Sequence, residues 1–153
     1  MQTQRRSVLK KIVASVAGII GVGTVAKATE NANPEKEVQN VVYDQEIPLF
    51  SGSTKYGGLV FIAGKGAHFP GDIKSHTDHV LKELEEELKK AGSSMEKVLK
   101  VQVYLNDIAD YQGMNEVFRG RFGKNPPVRT TVAVAKGGVP GDSLVEMDAI
   151  AGL

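Results

Sequence analysis

The sequence contains no cysteine and no tryptophan, and aromatic residues make up only 6% of its 153 residues. Without cysteine the chain forms no disulfide, and thiol catalysis, iron–sulfur clusters and cysteine-based zinc sites are excluded. A mean hydropathy of -0.17 excludes a chain with several membrane spans. What is present is the composition of an ordinary globular protein, with 24% charged and 41% apolar residues. The length predicts a single domain.

The N-terminal residues have the three-part pattern of an export signal. Arg5 and Arg6 belong to a basic start, an apolar run extends from Ile12 to Ala26, and Ala26-Lys27-Ala28 forms a small-x-small cleavage site. The arginine pair, followed by Ser7-Val8-Leu9-Lys10, resembles the bacterial twin-arginine motif. The apolar run is short and glycine-rich for a membrane span, and an uncleaved anchor helix is the alternative. We therefore expect residues 1–28 to be a signal peptide, and the mature protein to be periplasmic and free of the membrane.

Removal of the signal peptide makes the chain acidic. The signal contains five cations and no acid, so 14 Lys and Arg remain against 18 Asp and Glu, a net charge of -4. Nucleic-acid binding depends on clustered cations that neutralise phosphates. We therefore expect no nucleic-acid partner.

The mature chain alternates between strand and helix patterns. Residues 29–40 are polar and predict a flexible lead-in, and the domain itself is predicted at 41–153, beginning with a short strand from Val41 to Gln45. Apolar residues at three- and four-residue steps predict an amphipathic helix between Ile73 and Ala91, which Gly92 ends. Further patterns predict strands at 59–63, 98–105, 128–134 and 144–151 and a second helix at 110–122. The predicted order is β-β-α-β-α-β-β, with one additional early strand as an alternative.

Two helices cannot cover both faces of a sheet this wide. The residues predicted on the second face are mixed rather than fully polar, with Lys100, Gln102 and Tyr104 on one strand and Glu146 and Asp148 on another. A mixed, uncovered face typically packs against another protein surface. We expect this face to contact other subunits and to carry the functional site.

Four segments together resemble the Rid family, the reactive intermediate deaminases, also called YjgF-like proteins. They are GGLVFIAGKG, LKKAGSSMEKVLKVQVYLNDIADYQGMNEVF, NPPVRTTVAV and VEMDAIAGL, and the resemblance covers nearly all of the chain from about Val41. It implies an α+β, chorismate-mutase-like domain with a mixed β-sheet and two helices on one face, and a homotrimer with clefts between its subunits. It also implies hydrolysis of reactive 2-imino or 2-enamino acids to 2-keto acids and ammonia, with no cofactor.

The resemblance also implies the site residues. The family's substrate-binding arginine corresponds to Arg129, whose guanidinium can hold a carboxylate with two parallel N–H donors. Its acidic residue corresponds to Glu146, which can activate the attacking water. Asn115 corresponds to a position that lines the subunit interface. Ala63 and Lys65 stand where the family usually has serine and glutamine, and Lys65 would add a second cation that favours a dianionic ligand.

A structural role is the alternative for each of these residues. Arg129 could form an ion pair at a subunit seam, and Glu146 a salt bridge across it. Asn115 could be a capping or solvent-facing amide, and Lys65 a solvated loop lysine.

The departures from the family pattern support a second function. Leu49 or Phe50 occupies the place of the tyrosine that deaminating members carry before the second strand. A non-catalytic trimeric binding protein for small carboxylates is therefore the alternative to an enzyme. The His76–His79 spacing can chelate a metal, but no third ligand on another element is evident, so we expect no metal. The sequence does not identify which imino or keto acid is bound.

Overall fold

The computed structural model describes residues 33–43 and 46–153. Asn33–Leu153 form one compact unit. The predicted signal peptide, residues 1–28, and Asp44-Gln45 at the end of the first predicted strand lie outside the described residues. Within the described part of the chain, none of the helices has both the length and the apolar character that crossing a bilayer requires.

The strands form one mixed sheet. They are β1 (Glu37–Val41), β2 (Ser51–Tyr56), β3 (Leu59–Gly66), β4 (Val98–Leu105), β5 (Val128–Ala133) and β6 (Val145–Gly152). Their spatial order is β1-β2-β3-β6-β4-β5. Every neighbouring pair is antiparallel except β4 and β5, which are parallel. Since β1 begins at Glu37, the sheet starts inside the segment predicted as a flexible lead-in, and only Val41 is shared with the first predicted strand.

Two helices lie within the predicted segments, and the second ends at Phe118 rather than at residue 122. Helix α1 (Ile73–Lys90) begins at a capping box, in which the Asp72 side chain accepts from the Ser75 backbone N–H and the Ser75 hydroxyl accepts from the Asp72 backbone N–H. It ends before Gly92, whose φ of 80° is the left-handed conformation that glycine adopts without strain. Helix α2 (Tyr111–Phe118) follows a single 3₁₀ turn at Ile108–Asp110.

Both helices pack on one face of the sheet. The apolar stripe of α1 meets strand residues of β3 and β6, and the largest fully buried side chains include Leu81, Leu84, Leu88, Val101 and Met147. The opposite face, which we call the open face, contains Tyr104, Glu146 and Asp148, together with exposed apolar residues such as Phe61 and Val128. The predicted α+β class, with a mixed sheet and two helices on one face, is confirmed.

Candidate functional site

Arg129 lies on the edge strand β5 and points toward helix α2. It pairs in register with Val101, whose buried side chain faces the helices. Its guanidinium carbon is 4.6 Å from the centre of the Phe118 ring, and Nη2 donates to the Tyr111 hydroxyl at 3.4 Å. A contact from Nη1 to the Met114 sulfur, at 3.8 Å, completes its support. Helix α2 therefore holds the guanidinium in a fixed plane while most of its N–H donors stay available.

No carboxylate neutralises this charge within residues 33–43 and 46–153, where no acidic side chain lies within ion-pair distance of Arg129. An ion pair of Arg129 within its own protomer is therefore not observed there. Asn115 follows Tyr111 by four residues and lies half-buried on the same side of α2. Thr131 lies two residues after Arg129 on the same face, and its buried hydroxyl has no hydrogen-bond partner among the residues described. Asn115 therefore lies one helical turn after Tyr111, which contacts Arg129.

Glu146 lies half-buried on the open face of β6, directly opposite Tyr104 of β4. The main chain of Gly64 runs against its carboxylate so closely that a Cβ atom at Gly64 would overlap it. Ala63, the residue before, belongs to the irregular part of β3 where the register with β6 shifts. The close approach to Glu146 therefore comes from Gly64, the residue after Ala63.

A cavity beside Glu146 has a volume of about 250 Å³ and is lined by Gly64, Tyr104, Pro140 and Asp148, among others. A second cavity, of about 290 Å³, lies in another part of the described chain. Burial raises the pKa of Asp148 above its usual value, while the charge of Lys100 and the Tyr104 hydroxyl act in the opposite direction. The cavity beside Glu146 therefore contains two carboxyl groups in different environments.

Arg129 and Glu146 do not meet within one protomer. Arg129 points to the helical face and Glu146 to the open face, because their register partners on β4 are Val101 and Tyr104. Those partners are three residues apart, roughly 10 Å along the strand. One small substrate cannot contact both side chains of the same protomer. Any site that uses both must combine two copies of the chain.

Lys65 lies on the helical face rather than beside Glu146. Its ammonium nitrogen is 3.5 Å from Oε2 of Glu87, a buried residue of α1. Glu87 Oε1 also accepts hydrogen bonds from Asn40 and Ser53. Burial acts to raise the pKa of Glu87, but the hydrogen bond from Asn40, the charge of Lys65 and the hydrogen bond from Ser53 hold it below its usual value. In this protomer Lys65 therefore pairs with a structural carboxylate.

The histidines do not assemble with other ligands. Both ring nitrogens of the buried His76 are in hydrogen bonds, with the Phe69 carbonyl and the Leu144 N–H. His79 contacts the edge of the Phe69 ring, and His68 lies 3.3 Å from the Gly141 carbonyl. Across the described ranges, no three His, Asp or Glu side chains converge in a way that could hold a metal ion.

Two tyrosines of the site were not singled out as candidates from the sequence. Tyr111 falls within the second predicted helix without a proposed role, and Tyr104 is named only as one residue of the face expected to carry the site. Their hydroxyls lie beside Arg129 and Asp148 respectively. Their positions could have identified them. Tyr111 lies on the same helix as the candidate Asn115, and Tyr104 is the strand partner of Glu146, and both side chains end in a hydroxyl group.

Comparison with known proteins agrees with this architecture. A family model described as endoribonuclease L-PSP matches residues 44–153. A RutC family protein of Pyrococcus abyssi is 36% identical over 124 residues, covering 74% of this chain and 96% of that protein. The chloroplastic Reactive Intermediate Deaminase A of Arabidopsis thaliana is 31% identical over 68% of this chain and 58% of that protein. The crystal structure of RidA from the Antarctic bacterium Psychrobacter sp. PAMC 21119 is 26% identical, with a TM-score of 0.66 over 75% of this chain and 99% of that one. These matches confirm the family that the four segments predicted: the chain belongs to the endoribonuclease L-PSP family, which includes RutC- and YjgF-type proteins.

Proposed function

We propose that this protein is a deaminase that hydrolyses 2-imino or 2-enamino acids to 2-keto acids and ammonia. The observation that carries the proposal is the guanidinium of Arg129, which is stacked on Phe118 and has no acidic partner among the described side chains. A planar, permanently charged group of this kind matches a carboxylate with two parallel hydrogen bonds. Similarity to a protein named Reactive Intermediate Deaminase A supports the reaction class.

The chemistry requires only water and proton transfer. Water adds to the carbon of the C=N bond, and one of its protons passes to Glu146 as the C–O bond forms. The proton returns to the nitrogen. The proton of the new hydroxyl group then passes to the nitrogen through Glu146 as the C–N bond breaks, so that ammonia leaves while the carbonyl of the keto acid forms. Glu146 can act in this way because no Lys or Arg within the described ranges forms an ion pair with it.

The active unit in this proposal is a homotrimer. Since one protomer holds Arg129 and Glu146 on opposite faces of its sheet, the substrate binds where β5 and α2 of one copy meet the open face of the next. Exposed apolar residues on that face, including Phe61 and Val128 at 39% and 70%, supply the surface that association would bury. In this proposal Asn115, one turn after Tyr111 on α2, lines the same cleft.

The test is ammonia release from 2-iminobutanoate generated enzymatically in the assay. We expect the wild type to release ammonia faster than buffer, and both Arg129→Lys and Glu146→Gln to lower kcat/KM by at least about tenfold. Arg129→Lys is the matched variant because it keeps the charge and loses the paired donors. A wild-type rate equal to that of buffer contradicts an enzyme. Calorimetric binding of 2-ketobutyrate that Arg129→Ala abolishes would then identify a carboxylate-binding protein instead.

We further propose that residues 1–28 direct export to the periplasm. The support is the basic start with Arg5-Arg6, the apolar run and the Ala26-Lys27-Ala28 site. In a bacterial host, cell fractionation of the full-length chain should find the shortened protein in the periplasm. Replacement of Arg5 and Arg6 by lysine should leave it unprocessed in the cytoplasm, whereas Lys10→Arg with Lys11→Arg should not. Equal export of both variants would contradict the twin-arginine route.

A further inference from the structure

The short segment that leads into Glu146 is held by hydrogen bonds from three separate parts of the fold. The Ser143 hydroxyl accepts from the Ala67 N–H at 2.9 Å. The Leu144 carbonyl accepts from the Asn106 N–H at 3.0 Å. The Leu144 N–H donates to Nδ1 of His76 at 3.1 Å. These contacts fix the main chain two residues before the proposed general base.

His76 is the only one of these supports that can change its protonation. Its side chain is 2% exposed and bridges helix α1 to two loops. Nε2 lies 2.8 Å from the Phe69 carbonyl, which can only accept, so Nε2 carries the hydrogen. Nδ1 accepts from the Leu144 N–H, so it carries none. Both bonds exist together in one neutral tautomer only.

We infer that His76 is a positioning residue that holds Glu146 in its working place through Leu144, and that protonation of its ring releases this support. The inference rests on the proposed function of Glu146. A proton on Nδ1 turns an acceptor into a second donor that faces the Leu144 N–H, so this hydrogen bond is lost. Leu144 then loses its anchor to α1, and the start of β6 shifts with it. A displacement of about 1 Å at a reacting group can cost on the order of 100-fold in rate.

Several other titratable groups surround this ring, but none of them forms a hydrogen bond with its nitrogens. They are Asp72 at the start of α1, His79 on the other side of the Phe69 ring, Asp110 before α2, and His68 and Asp142 in the cavity that His76 lines. The hydrogen bonds of the two ring nitrogens go to main-chain groups and not to these side chains. A variant that changes only residue 76 therefore separates the ring proton from its neighbours.

The decisive variant is His76→Gln, because a glutamine amide offers both a donor group and an acceptor oxygen and does not titrate. We expect His76→Gln to keep most of the wild-type activity at neutral pH and to retain it to lower pH than the wild type. His76→Leu, which fills the space without either hydrogen bond, should lower kcat about 10- to 100-fold and change KM little. The KM should hold because Arg129 belongs to another part of the fold.

Amide hydrogen exchange provides a readout that needs no turnover. The Leu144 amide should be protected in the wild type at neutral pH, lose protection as the solution is acidified, and stay protected over the same range in His76→Gln. If the wild type shows no turnover but the exchange pattern is as expected, the proposed function is refuted and the anchoring role of His76 stands. The inference is overturned if the wild type and His76→Gln share one acid limb in kcat, or if Leu144 exchange is the same in both at every pH. If His76→Leu fails to fold, the glutamine comparison alone decides.

Discussion

At the scale of single residues, the position of the Glu146 carboxylate depends on the absence of a side chain at Gly64. A methyl group there would overlap the Glu146 carboxylate, which must then move. We expect Gly64→Ala to lower the rate of ammonia release about tenfold or more, with the fold intact because the strand conformation suits alanine. Gly152→Ala is the control, since nothing lies within 4 Å of the added atom. Equal rates for both variants would show that the position of Glu146 does not limit the reaction.

The buried carboxylate of Glu87 supports a prediction about stability. Its pKa is lowered in the folded protein, so the charged form contributes stability above the unfolded-state pKa, and this contribution is lost as the pH falls through the folded-state value. Glu87→Gln leaves Lys65 without its counter-charge and should lower the free energy of unfolding by about 2 kcal/mol at pH 7. The difference from the wild type should shrink toward pH 3, as followed by urea unfolding.

The matched control for this prediction is Glu85→Gln on the same helix. Glu85 forms a solvent-exposed pair with Lys89, at side-chain exposures of 38% and 63%, so its loss should change stability by less than about 0.5 kcal/mol. A Glu87 effect that is equally small, or one that grows in acid, would show that the buried pair does not stabilise the fold.

At the scale of secondary structure, the C-terminal end of α1 depends on Gly92. Gly92 has a φ of 80°, and nothing lies within 4 Å of a Cβ atom built on it, so a substitution there changes the backbone energy alone. We expect Gly92→Ala to cost about 1 kcal/mol in urea unfolding, and Gly92→Asn to cost less because asparagine tolerates this conformation better. Asparagine proving worse than alanine would contradict the backbone explanation.

The same scale shows what the sequence could and could not predict. The first helix was predictable because its apolar stripe and terminal glycine agree, and β6 and most of β4 because more buried and less buried residues alternate along them. The start of β4 departs from this alternation, since its register with β6 shifts between Val98 and Lys100 and Leu99 is exposed. Strand β1 was not, because Glu37–Val41 is largely exposed and is held by main-chain pairing with β2 rather than by an apolar pattern. The face of the sheet on which Lys65 lies was also not predictable. Regular alternation would place Ile62 and Lys65 on opposite faces, but the register shift between them places both on the same face.

At the scale of the whole molecule, the sequence predicted an uncovered face that carries the site. It did not predict that Arg129 and Glu146 lie on opposite faces of the sheet. The pattern identified Arg129 and Glu146 as candidates on two strands. Strand order and register, which place β4 between them and turn them to opposite faces, depend on long-range pairing. The separation of the two side chains therefore became visible only in the folded chain, and it makes assembly a condition of function.

This division can be tested by mixing two inactive variants. Arg129→Ala and Glu146→Gln protomers each keep one of the two groups, so a cleft between them can contain both wild-type side chains. If the two groups of a cleft come from neighbouring subunits, random assembly of equal amounts should restore roughly a quarter of the sites. Co-expression or joint refolding should therefore recover ammonia release that neither variant shows alone, whereas mixing the folded variants without subunit exchange should recover none. If joint refolding also recovers none, although mass spectrometry shows mixed trimers, then Arg129 and Glu146 do not act across a subunit boundary.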